Sequence, residues 1–389
     1  MSHTVRPKAA FLTAIVSWCL LWEVSFGVQI TAGPYLQCPG DSSMTIVWIT
    51  DSNCTSWVEY GSGQTLDQKA IASHHGLIDA YQRIHKITLS GLKPGTEYRY
   101  RAVSKEVVVF EPYKITFGET AASEVSTFTT LDSRREAVSF VVLNDIHENN
   151  ANLTGLMKIA AAQPFELVFL NGDILGHIED ETQIVEHVLR PCTDLFAARI
   201  PMVYVRGNHE TRGKFARMLP DYVGLEEGRF YRSFDHGPVH FVVMDSGEDK
   251  ADSDKEYYGL ADFDQYRSEQ QAWLEKEIRS EAFRKAAFRV ALIHMPLYGS
   301  NDWHGPIDCQ TKWGPLFNEG KLDLMISGHT HQYRILEPEE GKHGYPVVIG
   351  GGPKAKGAVV IRVEATKTTL NLTMTRDDGE VVGQYRVEK

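Results

Sequence analysis

At 389 residues the chain is longer than one ordinary hydrophobic core can organise, so about two domains are expected. Its 42% hydrophobic and 23% charged residues are those of a soluble globular protein rather than a disordered or fibrous one. The formal net charge of -11 argues against a nucleic-acid backbone as the main partner, because phosphate recognition leaves a basic surface. A small phosphorylated substrate is still allowed, since bound cations reverse the local field.

The chain opens like an export signal. Arg6 and Lys8 give a positive start, Ala9 to Trp22 is apolar, and Ser25 and Gly27 are small enough for a cleavage site. An uncleaved anchor is the rival, but the run is short for a span of about 20 residues and Glu23 interrupts it. Residues 1–27 are therefore expected to be removed, leaving an exported protein, secreted or periplasmic, with no stable membrane span. Three Asn-x-Thr sequons, at Asn53, Asn152 and Asn371, matter only where the source glycosylates exported proteins.

Residues 28–132 read as short strands separated by turns. The clearest are Met44 to Thr50, Trp57 to Tyr60, His85 to Leu89, Thr96 to Val103 and Val125 to Thr129, punctuated at Gly61–Gly63 and Lys93–Gly95. That rhythm predicts an all-β sandwich. Cys38 and Cys54 flank the first of these strands, and about 3.3 Å per residue puts them beyond disulfide reach. Buried free thiols are expected, with a Cys192–Cys309 pair left open.

After the polar link 132–136, strands begin to alternate with helices, which marks an α/β domain over residues 133–389. Strands are expected at Ser139 to Leu143, Leu167 to Leu170, Met202 to Val205, Val290 to Ile293, Leu324 to Ile326, Val347 to Ile349, Ala358 to Val363 and Thr369 to Thr375. Helices are expected at Asn152 to Ala162, Thr182 to Leu195 and Asp262 to Arg284. In the last of these, Phe263, Tyr266, Gln270, Trp273, Leu274 and Ile278 recur at helical spacing, as a core-packing stripe does.

Five apolar strands run into metal-capable side chains: Asp145-x-His147, Gly172-Asp173, Gly207-Asn208-His209-Glu210, His294, and Gly328-His329-Thr330-His331. Ligands two apart can be aimed by one loop at a shared site, and the glycines permit tight turns. Carboxylate, amide and imidazole ligands suit Fe, Mn, Zn or Co rather than a thiolate-loving metal.

In this order the five blocks resemble the calcineurin-like metallophosphoesterases. The front segment resembles the fibronectin type III-like N-terminal domain of purple acid phosphatases, through Thr31-Ala32-Gly33-Pro34-Tyr35-Leu36-Gln37, Thr45-Ile46-Val47-Trp48, Val58-Glu59-Tyr60-Gly61 and the turn Leu92-Lys93-Pro94-Gly95-Thr96-Glu97-Tyr98. The resemblance implies a second domain of two packed β-sheets flanked by helices. It implies one metal held by Asp145, His147, Asp173 and His331 and another held by Asp173, Asn208, His294 and His329. It further implies hydrolysis of a phosphate monoester by attack of a metal-bridging hydroxide, with His209 free to act on the leaving oxygen. The same metal core serves phosphodiesterases and nucleotide hydrolases, and a binding module with a decayed catalytic site is the rival from another class.

Two departures stand out from the purple enzymes, which carry a Tyr three residues after the bridging Asp and a Gly where this chain has His147. The Tyr position here is Gly176, so no tyrosinate colour is expected, and what orients His209 is left open. In the loop after His294, the residues Tyr298, Asn301, Trp303, His304 and Trp313 could wall a substrate, His304 being the candidate phosphate contact. The acidic stretch Glu248 to Glu256 reads as a solvated face, and His177, His236 and His240 as ordinary polar residues.

Overall fold

The computed structural model describes Met1, His3 and residues 27–389. The export signal expected over residues 1–27 thus lies almost wholly outside the described residues. No helix among those described is long and apolar enough to cross a membrane.

The front part is built from antiparallel strands β1 (Ile30–Gln37), β2 (Ser43–Gly61), β3 (Gln68–Ala70), β4 (Gln82–Ser90), β5 (Glu97–Glu111), β6 (Lys114–Ala122) and β7 (Ser126–Thr129). The two strands expected at Met44–Thr50 and Trp57–Tyr60 are one, because β2 runs unbroken through Cys54. Its first half pairs with β1 and β4, and its second half pairs with β3 and β5, so a single strand serves both layers. Met44, Ile46 and Trp48 of the first half meet Val58, Tyr98, Tyr100 and Phe128 in a buried core. Trp48 Nε1, buried with them, donates to Ser104 Oγ at 2.8 Å, as a buried indole must find an acceptor.

The second part is two mixed six-stranded sheets packed face to face. The first runs in the order β10 (Met202–Val205), β9 (Leu167–Asn171), β8 (Ala137–Leu143), β17 (Val359–Thr366), β18 (Thr369–Arg376), β19 (Val381–Glu388). The second runs β11 (Arg232–His236), β12 (Val239–Met244), β13 (Phe288–Ile293), β14 (Leu324–Ser327), β16 (Val347–Ile349), β15 (Arg334–Leu336). Sequence reading missed β11, β12, β15 and β19; in β12, all six residues of which are buried, the polar His240 interrupts the apolar run.

Strand alternation explains the layering. In β8, Val138, Phe140 and Val142 point into the layer between the sheets, where Phe140 meets Phe169 and Phe241 edge-on at 5.5 and 5.0 Å. Val141 and Leu143 point the other way, under helix α1 (Asn150–Ala160) and the helical segment 181–197. That segment, expected as one regular helix, contains two wide turns at Val185–Leu189 and Thr193–Ala197, one either side of Pro191, whose ring cannot join a regular ladder. The outer face of the second sheet is covered by α2 (Phe263–Glu277) and α3 (His304–Glu319). The α2 stripe is core as expected at Gln270, Leu274 and Ile278, but the same helix also buries Arg267.

The front strands are seated on this second part. Ala32, Tyr35, Val47 and Ile49 join the core beneath the 181–197 segment, and Tyr35 Oη and Tyr100 Oη donate to the carbonyls of Tyr222 and Ala198 at 2.6 and 2.8 Å. Cys38, Cys54, Cys192 and Cys309 are all free thiols. Cys38 is only half-buried, and Cys54 lies inside β2 rather than beyond its end.

Candidate metal centre

The parallel strands β8, β9, β10, β13 and β14 end on one edge of the two sheets, and each is followed by one of the five motif blocks. Ligand sites of open α/β sheets form beyond these carboxyl ends. The chain there bends sharply: Asp145, His147, Asp173, His329 and His331 all have positive φ, between 47° and 71°. Non-glycine residues are strained in that region, and such strain gathers where function fixes the backbone. Gly172, at φ 83°, leaves room for a neighbour, since a Cβ there would fall 2.4 Å from His294 Nδ1. Gly207 serves by close approach instead, because its Cβ would lie 2.3 Å from Asp173 Oδ1.

Two groups of ligand-type atoms result, one of Asp145, His147, Asp173 and His331, the other of Asp173, His294 and His329, each group within 4.8 Å. Asp173 belongs to both. His294 is fully buried and its Nδ1 lies 2.9 Å from the carbonyl oxygen of Asn171, so Nδ1 carries the hydrogen. Its Nε2 therefore faces Asp173 Oδ2 at 3.1 Å, and in the neutral ring that is a lone pair against a carboxylate oxygen. His147 Nε2 and His331 Nε2 likewise face each other at 3.1 Å. Such opposed acceptors fit a cation between them. Burial drives His329 down to about 4, helped by His294, and burial also lowers His147, so both rings are neutral near pH 7 with lone pairs to give. Asn208 lies beside the second group, its Oδ1 3.0 Å from His329 Nδ1.

Behind the ligand atoms stands Glu210, fully buried. Its Oε2 accepts from the backbone N–H of Asp173 (2.9 Å) and Gly207 (2.8 Å), and its Oε1 from that of Leu175 (3.0 Å), tying the β9 and β10 loops together. Asn144 Nδ2 donates to Asp145 Oδ2 at 2.6 Å and to the Gly351 carbonyl at 3.0 Å. Gly350, Gly351 and Gly352 bring the chain against this pair, and a Cβ on Gly352 would meet His331 Cβ at 2.6 Å. Sequence reading gave neither Glu210 nor Asn144 a role, and the triple glycine after β16 was the available signal.

Residues 138–333 match the profile of the calcineurin-like phosphoesterases, and residues 32–130 match that of the purple acid phosphatase N-terminal domain. The first match alone spans half the chain. The chain belongs to the calcineurin-like phosphoesterases. Among its relatives, purple acid phosphatase 21 of Arabidopsis thaliana is 23% identical over 87% of this chain and 74% of its own length. Acid phosphatase type 7 of Mus musculus is 25% identical over 84% and 77%. Of solved structures, the purple acid phosphatase PPD1 of yellow lupin (Lupinus luteus) superposes with a TM-score of 0.69 at 16% identity, covering 91% of this chain and 74% of that one. The fold is thus that of an N-terminal antiparallel β domain followed by an α/β phosphoesterase domain, and the protein is a metallophosphoesterase of purple acid phosphatase-like type.

In this phosphoesterase His209 stands apart from both ligand groups. Its Nδ1 lies 2.7 Å from the Gly176 carbonyl oxygen, which fixes the ring and turns Nε2 toward the centre, 3.9 Å from Asp173 Oδ2. The residue that lacks a side chain therefore supplies the orienting group from its backbone. Arg212 Nη1 lies 3.1 Å from the same Nε2, while its Nε and Nη2 are held by Glu248 at 2.9 Å each. The acidic stretch is accordingly not a solvated face at its start: Glu248 and Asp249 are buried, because they neutralise Arg212 from below.

The other expectations about the substrate wall fare unevenly. His304 Nε2 is bound to Asp264 Oδ1 at 2.7 Å, in a separate group with Asp308, and is not drawn into the ligand cluster. Its neighbour Trp303 comes closer, its ring centroid 6.5 Å from that of His329, whereas Trp313 is buried in the core. His236 is buried with Nε2 2.9 Å from Glu166 Oε2 and Nδ1 accepting from the backbone N–H of Asp132, and His240 is buried between the carboxylates of Asp235 and Glu277.

Proposed function

We propose that this metallophosphoesterase hydrolyses phosphate monoesters at a centre of two metal ions, Fe, Mn or Zn. Asp145, His147, Asp173 and His331 hold one ion, and Asp173, Asn208, His294 and His329 hold the other. The observation that carries the reading is the sharing of Asp173 Oδ2 by facing imidazoles, above all by the buried Nε2 of His294 at 3.1 Å. Buried carboxylates without a cationic side chain among them call for a cation, and this donor set suits those metals.

When bound, two such ions polarise a phosphoryl oxygen, clamp the attacking and leaving oxygens and make hydroxide available near neutral pH. The chain's own residues supply the rest. Asp173 is held still by Glu210, so the two groups keep a common ligand. His209, its Nδ1–H held by the Gly176 carbonyl, aims Nε2 at the position of the leaving oxygen; doubly protonated, and with Arg212 Nη1 moved off Nε2, the ring hands that oxygen the Nε2 proton. A general acid so placed contributes roughly 10² to 10⁴ in rate. His147 occupies the place of the missing tyrosine ligand. The purple acid phosphatase-like front domain and the relatives named as acid phosphatases favour a monoester. Export of the mature chain belongs to the same proposal and rests on the N-terminal sequence alone.

The test is turnover of 4-nitrophenyl phosphate against bis(4-nitrophenyl) phosphate by the metal-loaded protein. Preference for the monoester is expected. Preference for the bis-ester overturns the monoester reading, and turnover of neither overturns the enzymatic one.

A further inference from the structure

Beyond Arg212 lies a cleft of about 540 Å³, whose lining includes Arg212, Lys214, Arg217, Tyr257, Tyr258 and Leu260. We propose that it is the leaving-group subsite and that it favours phosphate esters whose leaving group carries a second negative charge. The inference rests on the phosphatase reading above and adds a substrate class to it.

Direction comes first. Phosphorus must sit against the ligand atoms around Asp173, and the leaving oxygen must face His209 Nε2, 3.9 Å from Asp173 Oδ2. A substituent on that oxygen then continues past His209, where Arg212 Nη1 stands 3.1 Å away and the cleft opens behind it.

Charge comes second. Three cations at this end are already matched: Arg212 by Glu248, the buried Arg206 by Asp245 at 2.7 Å, and Lys250 by Glu256 at 3.1 Å. One in the cleft is not: Arg217 is exposed with no carboxylate at ion-pair distance among the described residues, while Lys214, 78% exposed, meets the half-exposed Glu179 at 3.7 Å. Glu248 and Glu256 also line the cleft, but they are held by Arg212 and Lys250, so in a chain of net charge -11 the exposed Lys214 and Arg217 are the cations left to meet an anion beside the reaction centre. Tyr258 and Leu260, 88% and 73% exposed, stand among these cations and give the cleft an apolar side. A ring or short carbon skeleton bearing a carboxylate or second phosphate matches both properties.

Phenyl phosphate and 3-carboxyphenyl phosphate test this, because their leaving oxygens are of similar basicity and only the second charge differs. The wild-type protein, metal-loaded, should favour the carboxylated ester about fivefold in kcat/KM, as two exposed ion contacts allow. The double variant Lys214→Ala, Arg217→Ala, altered only at exposed positions, should turn over phenyl phosphate at the wild-type rate and lose that preference. Added salt should erase it in the wild type. Equal kcat/KM for the two esters, or a preference that survives the double variant, overturns the inference while leaving the phosphatase reading intact. Turnover of neither ester overturns that reading and this one with it.

Discussion

Replacing Glu210 by Gln changes one atom and isolates the part of the centre that no ligand list contains. The carboxylate accepts three backbone N–H groups, two on Oε2 (from Asp173 and Gly207) and one on Oε1 (from Leu175). An amide has one acceptor oxygen; turned to keep the pair from Asp173 and Gly207, it points its own N–H₂ at the N–H of Leu175. One buried donor is then left facing a donor, at a cost of about 1–3 kcal/mol. If the second part melts as a unit, a loss of about 2 kcal/mol lowers its Tm by roughly 4–8 °C. The Asp173 loop also loses its clamp, and removing a partner of this kind weakens metal binding about 10- to 100-fold. Thermal unfolding of the metal-free protein and competitive metal titration read the two effects separately. Wild-type values in both would refute the idea that Glu210 positions Asp173.

Asp173→Ala should abolish metal loading at both positions, whereas Asp145→Ala should spare the group built on His294 and His329; metal analysis of the purified variants distinguishes shared from separate ligation. His209→Ala should retain both ions and lose about 10² to 10⁴ in kcat on alkyl phosphates, with a smaller loss on nitrophenyl phosphate, where the leaving oxygen needs no proton; equal losses would contradict the acid role. The iron-loaded protein should show no intense visible tyrosinate band, since position 176 carries no side chain, and absorption spectroscopy decides it. For His240, burial lowers the pKa, but the hydrogen bond to Asp235 at 2.7 Å and the Glu277 carboxylate 3.0 Å from Nε2 outweigh it and the folded value is raised. A raised folded pKa gives stability that is complete below the unfolded value of about 6.5 and lost as pH climbs through the folded one. The stability gap between wild type and His240→Asn should therefore be widest at pH 5–6 and narrow in alkali, and a gap that widens with pH would reverse the sign of the argument.

What was legible in the sequence is what a local pattern can carry. Each ligand follows a buried strand, so the join from Leu143 to Asp145 or from Ile293 to His294 is visible without knowing which strands are neighbours. The partners of those ligands are not visible in this way. Glu210 is read beside His209, yet it acts on Asp173, 37 positions earlier, and Glu248 acts on Arg212 from 36 positions away. Acidic residues look like surface by composition, and only the half-buried guanidinium of Arg212 explains why Glu248 and Asp249 are inside. Strand β12 was missed for a related reason: the polar His240 interrupts its run, and only the carboxylates of Asp235 and Glu277 explain why that ring is inside. The orientation of His209 was invisible in principle, because the acceptor is a main-chain oxygen and Gly176 offers no side chain to notice.

The opposed acceptors around Asp173 tie these strands of argument together. Without a cation, the proton is the only positive charge available between His294 and Asp173; burial resists it, but the Asp173 carboxylate holds the imidazolium up to about 10. A metal ion bound there would take that proton's place, so ion uptake and proton release would be one event at this residue. The strained backbone of Asp145, His147, Asp173, His329 and His331 is braced by Glu210, Asn144 and the Gly350–Gly352 loop. Asp173 is anchored through its backbone by Glu210 and shared through its side chain by the two groups.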